Sequence, residues 1–113
     1  MDSHFYFFSF FLMIGFEDFS MLAWNVRGFA NRKSHCHMHE ILVRFKPDLI
    51  VLSETHTAFD SSKRFWEKEG YMKVEVVEAT GHSGGLWVLY NVSCSYSFTL
   101  MESVTQCITI KIT

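Results

Sequence analysis

The sequence predicts an α/β (α+β) fold that starts with a strand-helix-strand unit and continues with antiparallel strands. One apolar run ends in Trp24-Asn25-Val26-Arg27-Gly28, and a second, after Pro47, ends at Glu54. Helical periodicity lies between them, and strand periodicity begins after Gly70. A right-handed crossover makes the first two strands parallel neighbours. Asn25 and Glu54 are then expected at one carboxyl edge of the sheet, where α/β sheets bind ligands.

The first helix is predicted over residues 31–46, from Asn31 to Lys46. Its apolar positions follow the spacing i, i+3, i+4 and i+7 and are Met38, Ile41, Leu42 and Phe45. The helix ends before Pro47, because a residue that precedes proline is disfavoured in helical conformation.

A second, shorter helix is predicted from Asp60 to Glu69. Asp60 or Ser61 is the expected cap, and Gly70 is the expected end. Phe65 and Trp66 give this helix an apolar side.

The remaining chain is predicted to be an antiparallel meander. The expected strands are the alternating Lys73–Val76, the continuously apolar Leu86–Tyr90, the alternating Ser93–Leu100 and the alternating Gln106–Ile112. The third has Cys94, Tyr96, Phe98 and Leu100 on one face, and the fourth has Ile108, Ile110 and Ile112 inward. Residues 101–104 are expected to form a turn.

Residues 1–18 form a Phe-rich apolar N-terminal extension, and residues 19–113 are assigned to one small domain. The apolar run is shorter than the ~20 residues of a membrane span, so no stable span is expected. A signal peptide over residues 1–20 is the alternative, although Asp2 precedes the run and no Lys or Arg does. Three cysteines without zinc spacing favour reduced thiols in an intracellular protein.

The net charge of −2 and the sequence pI of about 6.3 give no support to an autonomous duplex-binding module, which is usually basic. A nuclease that holds phosphate through a metal ion needs less basic surface, so this class stays open. Arg27, Arg32 and Lys33 follow the first strand and are candidate phosphate contacts; a solvated loop is the alternative.

Three segments resemble the endonuclease/exonuclease/phosphatase superfamily. They are residues 22–28 (LAWNVRG), residues 46–55 (KPDLIVLSET) and residues 83–90 (SGGLWVLY). The closest resemblance is to the endonuclease domains of plant-type non-LTR retrotransposons, and it runs from about Phe19 to the C-terminus. The order and spacing of the first two segments make it specific.

The resemblance implies a sandwich of two β-sheets with helices outside, of which this chain covers the N-terminal half. It also implies Mg²⁺-assisted hydrolysis of a phosphodiester, with DNA as the partner and an intracellular, including nuclear, location. By matching position, Glu54 is the metal-ligand glutamate. Asn25 is the amide that helps orient the metal and the phosphate.

The chain departs from this family in its second half. The family site requires a later Asp-x-Asn pair and an Asp-His pair, but no Asp follows Asp60 and no His follows His82. We therefore expect a truncated domain that is inactive alone, because members of a catalytic set act as a unit. A non-catalytic relic or a nucleic-acid or protein interaction module is the alternative. Half a sandwich would leave a sheet face uncovered, which predicts self-association.

Two other patterns suggest different chemistry. Gly81-His82-Ser83-Gly84-Gly85 matches the nucleophile elbow of serine hydrolases, but no histidine follows it, and a glycine turn explains it equally. His35 and His39 have the i, i+4 spacing of a shared metal site, whereas His37 points elsewhere. No third ligand is evident, and a polar helix flank is the alternative.

Overall fold

A computed structural model of the chain describes residues 3–8, 11–13, 19–80, 84–104 and 107–112, with side-chain surroundings for residues 19–80 and 84–101. It has the α+β composition that the sequence predicts, with a four-stranded mixed sheet and two helices. The strands are β1 (Ser3–Phe8), β2 (Phe11–Met13), β3 (Met21–Asn25), β4 (Leu49–Ser53), β5 (Tyr71–Val77), β6 (Leu86–Asn91), β7 (Phe98–Val104) and β8 (Cys107–Ile112). The helices are α1 (Arg32–Phe45) and α2 (Lys63–Glu69).

The mixed sheet has the strand order β3-β4-β6-β5. β3 and β4 are parallel neighbours joined by α1, which confirms the predicted strand-helix-strand start. β6 lies between β4 and β5 and is antiparallel to both. The second half is therefore antiparallel as predicted, but it is not a simple meander, because β6 is inserted beside β4.

The other strands pair in the order β2-β1-β8-β7, and all three pairings are antiparallel. The predicted N-terminal extension thus contributes β1 and β2, and β1 pairs with β8 at the opposite end of the sequence. The signal-peptide alternative stays a prediction. Within the described residues, no helix is long and apolar enough to cross a membrane.

The core lies on both faces of β4 and β6. One face carries Ile50, Leu52, Trp87 and Leu89, which pack with residues of α1 and α2. The opposite face carries Leu49, Val51, Leu86 and Val88, against which Tyr96 and Phe98 pack. This two-sided burial accounts for the continuous apolar runs of these strands.

The bounds of α1 agree with the sequence pattern to one residue at each end. The Asn31 side chain accepts a hydrogen bond from the Ser34 N–H at 2.8 Å, and Lys46 ends the helix in left-handed conformation. Met38 and Leu42 are buried, whereas Phe45, at 65% exposed, lies beyond the core. The apolar stripe is thus only partly used.

The second helical segment is split. Phe59–Ser62 forms a 3₁₀ turn and α2 follows from Lys63, so neither Asp60 nor Ser61 caps the α-helix. Ser62 precedes α2, and its hydroxyl donates to Phe59 O and accepts from Trp66 Nε1. Gly70 ends the helix at φ 85°, as predicted.

The predicted strand Ser93–Leu100 is confirmed only for residues 98–100, and the predicted turn at 101–104 is wrong. The Asn91 side chain accepts the Ser93 N–H at 2.9 Å, and this turn ends β6. β7 then runs from Phe98 to Val104, and a bulge between Leu100 and Glu102 interrupts its pairing with β8. Because a bulge interrupts the alternation of side chains between the two faces, an analysis based on strict alternation does not predict this strand.

Candidate functional site

Asn25 and Glu54 lie at the same edge of the mixed sheet. Asn25 is the last residue of β3 and is in register with Ser53, the last residue of β4. Glu54 comes directly after Ser53. The Val26 N–H donates to Ser53 O at 3.1 Å, and the Gly28 N–H donates to Glu54 O at 2.8 Å. Backbone hydrogen bonds therefore continue to join the two segments past the ends of both strands.

Three chain segments are joined at this edge by backbone hydrogen bonds. The Phe29 N–H donates to Thr55 O at 2.9 Å, which fastens the loop after β3 to the loop after β4. The Glu54 N–H donates to Gly85 O at 2.9 Å, and the His56 N–H donates to Gly84 O at 2.8 Å. These bonds fix Glu54 between two neighbouring segments.

Left-handed backbone is concentrated at this edge. Of the four non-glycine residues with positive φ in the described chain, Arg27 (50°), Glu54 (53°) and His56 (51°) belong to it. Each such residue costs about 1–3 kcal/mol and persists only where the surroundings enforce it. The fourth, Lys46, ends α1. Such a concentration of strain is typical of functional sites.

Two glycines allow the close approach of these loops. A Cβ on Gly84 would lie 2.9 Å from Glu54 Cα and 3.0 Å from Glu54 Cγ. A Cβ on Gly85 would lie 2.5 Å from the hydroxyl of the buried Thr55, and Gly85 has φ +95°. Only glycine fits either position without movement of its neighbours.

The side chains of the two predicted site residues remain available to a ligand. Asn25 is exposed and Glu54 is half-buried. Among residues 19–80 and 84–101, no side chain forms a hydrogen bond or ion pair with the Glu54 carboxylate. A partly buried carboxylate that has no partner among the described side chains favours binding of a cation.

The donor set suits Mg²⁺ in part. Mg²⁺ binds oxygen ligands and commonly takes one or two carboxylates together with waters and substrate phosphates. Glu54 and Asn25 offer a carboxylate and an amide oxygen at one edge. Within the described part of the chain, no group of three or more His, Cys, Asp or Glu residues is arranged to hold a metal ion. Solvent and a phosphate would have to complete the coordination.

The three predicted cations lie in the segment that leaves this edge. Arg27 is in the loop bonded to β4, and Arg32 and Lys33 form the first turn of α1. All three are exposed, and in the described residues none of them forms an ion pair. They provide positive charge next to Asn25 in the chain.

The three helix histidines point to three different partners. The His35 Nε2–H donates to Phe29 O at 3.1 Å, and its ring packs against both Phe29 and Phe65. The His39 Nδ1–H donates to the Glu69 carboxylate at 2.8 Å. His37 lies edge-on to Trp24. This arrangement supports the polar-flank interpretation of these residues.

Residues 81–83 of the predicted nucleophile elbow, including Ser83, lie outside the described residues. Gly84 and Gly85 lead directly into β6, whereas an elbow requires a helix after the serine. The glycine-turn interpretation agrees with this geometry.

Sequence reasoning did not identify three residues as parts of this edge: Thr55, His56 and Gly84, which contacts Glu54. The pair Gly84-Gly85 directly before a buried strand was the readable signal, since it indicates a close backbone approach. No sequence pattern marks the left-handed conformation of Glu54 or His56.

No protein-family model matches this chain, and no curated protein sequence matches it either.

Proposed function

We propose that the chain is part of a domain of the endonuclease/exonuclease/phosphatase type, of retroelement origin, and that the Asn25–Glu54 edge is its site for Mg²⁺ and DNA phosphate. The observation that carries this proposal is the position of an amide and a carboxylate at the ends of two adjacent parallel strands, where no described side chain pairs with the carboxylate. The resemblance of residues 22–28, 46–55 and 83–90 to that superfamily points to the same edge.

The packing supports half of a two-sheet sandwich flanked by helices. Both faces of β4 and β6 are buried, with α1 and α2 on one side. On the other side lie Tyr96 and Phe98, and Phe98 begins β7 of the second set of strands. A sandwich strand has this arrangement, with a sheet on one face and helices on the other.

In this proposal, each residue of the edge has a separate task. The Glu54 carboxylate would hold Mg²⁺, and the Asn25 amide would orient the metal and a phosphate oxygen. When bound, Mg²⁺ would supply Lewis acidity and neutralise charge on the phosphate. Arg27, Arg32 and Lys33 would contact the DNA backbone on the side of α1.

DNA binding with and without Mg²⁺ tests the proposal. We expect the purified chain to bind a fluorescein-labelled DNA duplex more tightly in MgCl₂ than in EDTA, measured by fluorescence anisotropy at low salt. Glu54→Gln should weaken binding in MgCl₂ about tenfold and abolish the difference between the two buffers. Glu67→Gln, at an exposed position of α2, is the matched control and should bind like the wild type. Equal binding by wild type and Glu54→Gln in MgCl₂ would contradict a metal role for Glu54.

A non-catalytic nucleic-acid-binding module is the second candidate, and the exposed cations without ion pairs in the described residues favour it. Replacement of Arg27, Arg32 and Lys33 by Gln would then abolish DNA binding equally in MgCl₂ and in EDTA, and Glu54→Gln would have no effect. The salt dependence of binding would fall by about one unit of slope for each lost phosphate contact.

A further inference from the structure

His56 lies beside Glu54 and is held there by the backbone. Its N–H donates to Gly84 O at 2.8 Å, and its φ of 51° is left-handed. Thr55, which joins the two residues, is fully buried, and its carbonyl accepts the Phe29 N–H. The dipeptide after Glu54 is therefore anchored to both neighbouring segments, and the backbone of His56 is held by contacts outside its own loop.

The His56 imidazole and the Glu54 side chain both lie close to Gly84. The point where a Gly84 Cβ would lie is 2.9 Å from His56 Cε1 and 3.0 Å from Glu54 Cγ. Because both distances share this point, His56 Cε1 lies at most 5.9 Å from Glu54 Cγ. Cε1 is the ring carbon between the two nitrogens, so this side of the imidazole lies next to Gly84.

The ring has capacity for an external ligand. His56 is exposed, and within the described residues its nitrogens form no hydrogen bond and no ion pair. It also lines a shallow cavity of about 280 Å³ with Thr57, Ala58, Glu78 and Ala79. Both Glu78 carboxylate oxygens accept the Phe59 N–H, so that carboxylate is held by the backbone and not by His56.

We infer that His56 contacts the substrate at this edge. Its ring N–H donates a hydrogen bond to a non-bridging oxygen of the phosphodiester bound at the Asn25–Glu54 edge. The inference rests on the proposed function, since it assumes a phosphate at the Asn25–Glu54 edge. A cation held by Glu54 would bind one oxygen of the phosphate, and the ring N–H of His56 would donate to a second oxygen of the same group. The left-handed backbone of His56 costs free energy, and a ligand contact would give a reason for it.

Two substitutions separate ligand contact from a purely structural role. His56→Gly keeps the left-handed backbone, which glycine adopts freely, and removes the donor. His56→Asn also tolerates this backbone and keeps a side-chain N–H. If His56 contacts phosphate, His56→Gly should weaken binding of the DNA duplex in MgCl₂ about tenfold, while His56→Asn should stay within about threefold of the wild type. His39→Ala, at an exposed histidine of α1, should bind like the wild type.

Ring-nitrogen NMR spectra of the full chain give a second readout that does not depend on the variants. Addition of the DNA duplex in MgCl₂ should shift the His56 ring resonances and leave those of His39 in place. Wild-type affinity for His56→Gly, or unshifted His56 resonances with bound DNA, would overturn the inference. If Glu54→Gln abolishes the Mg²⁺ effect while His56→Gly binds normally, the proposed function stands and the role of His56 fails. If the wild-type chain binds no DNA, both fail.

Discussion

At the scale of the residue, Gly84 decides whether the candidate edge can form. Its missing side chain lets the loop before β6 contact both Glu54 and His56. An added Cβ would meet the Glu54 backbone at 2.9 Å, and a backbone atom cannot rotate away as a flexible side chain can.

We expect Gly84→Ala to destabilise the fold by about 1–3 kcal/mol and to displace Glu54, which would remove the Mg²⁺ dependence of DNA binding. Urea unfolding and anisotropy measure the two effects. Gly70→Ala is the matched control: Gly70 has φ +85° and nothing within 4 Å of its Cβ position. It should lose stability through backbone strain alone and keep normal DNA binding. Normal stability of Gly84→Ala would contradict the close approach.

Tyr71 shows how burial of one polar group makes stability depend on pH. Its hydroxyl donates to Pro47 O at 2.7 Å, and the residue is 4% exposed. Burial, followed by the nearby Asp48 carboxylate, raises the pKa of Tyr71 from 10.0 to about 12. The folded state thus holds this proton more tightly than the unfolded state does.

The stabilisation from neutral Tyr71 is complete below pH 10, and we expect it to be lost as the pH rises from about 10 to about 12. Tyr71→Phe should cost about 1 kcal/mol at neutral pH through the lost hydrogen bond and should flatten this alkaline decline. Chemical denaturation at several pH values measures both. Tyr90→Phe keeps Tyr71 and should retain the decline; an unchanged decline in Tyr71→Phe would refute the assignment.

At the scale of the element, α1 is the part of the fold that the sequence predicts best. Its start, its end and its buried positions Met38 and Leu42 all follow from local signals: a capping asparagine, helical spacing and a following proline. The second helix was less predictable because its capping serine is used elsewhere. The Ser62 hydroxyl bonds Phe59 O and Trp66 Nε1, so it does not cap the backbone of α2 as a serine at this position usually does.

Removal of the Asn31 cap of α1 should lower the free energy of unfolding by a moderate amount. Asn31→Ala removes the acceptor of the Ser34 N–H and should destabilise the protein by about 1 kcal/mol. Asn31→Asp keeps an acceptor and should stay close to the wild type. Thermal or urea unfolding measures the difference. If the two variants are equally stable, the cap does not contribute to stability.

At the scale of the whole molecule, the order of the strands brings the site together. The insertion of β6 between β4 and β5 carries Gly84 and Gly85 to Glu54. A simple meander would have placed β5 beside β4 and left Glu54 without this contact.

Self-association of the chain stays a prediction. β4 and β6 are covered on both faces, and the exposed large apolar side chains include Val43 and Phe45 on α1 and Met101 on β7.

We expect the chain alone to show no Mg²⁺-dependent nicking of supercoiled plasmid above the level of Glu54→Ala. The reason is that the sequence carries no Asp after Asp60 and no His after His82, whereas the proposed family requires both types in its later motifs. Agarose-gel analysis over several protein preparations measures this. Robust nicking that requires Mg²⁺ and disappears in Glu54→Ala would show that the chain contains a complete catalytic set.

The sequence by itself determined the strand-helix-strand start, the limits of α1, the apolar strands β4 and β6, and the positions of Asn25 and Glu54 at strand ends. These features depend on periodicity, capping and proline, which act over a few residues. Only the tertiary structure decided the place of β6, the pairing of β1 with β8, the bulge in β7 and the contact of Gly84 with Glu54 and His56. These features join segments far apart in the chain, and their stability comes from packing and hydrogen bonds that no local pattern records.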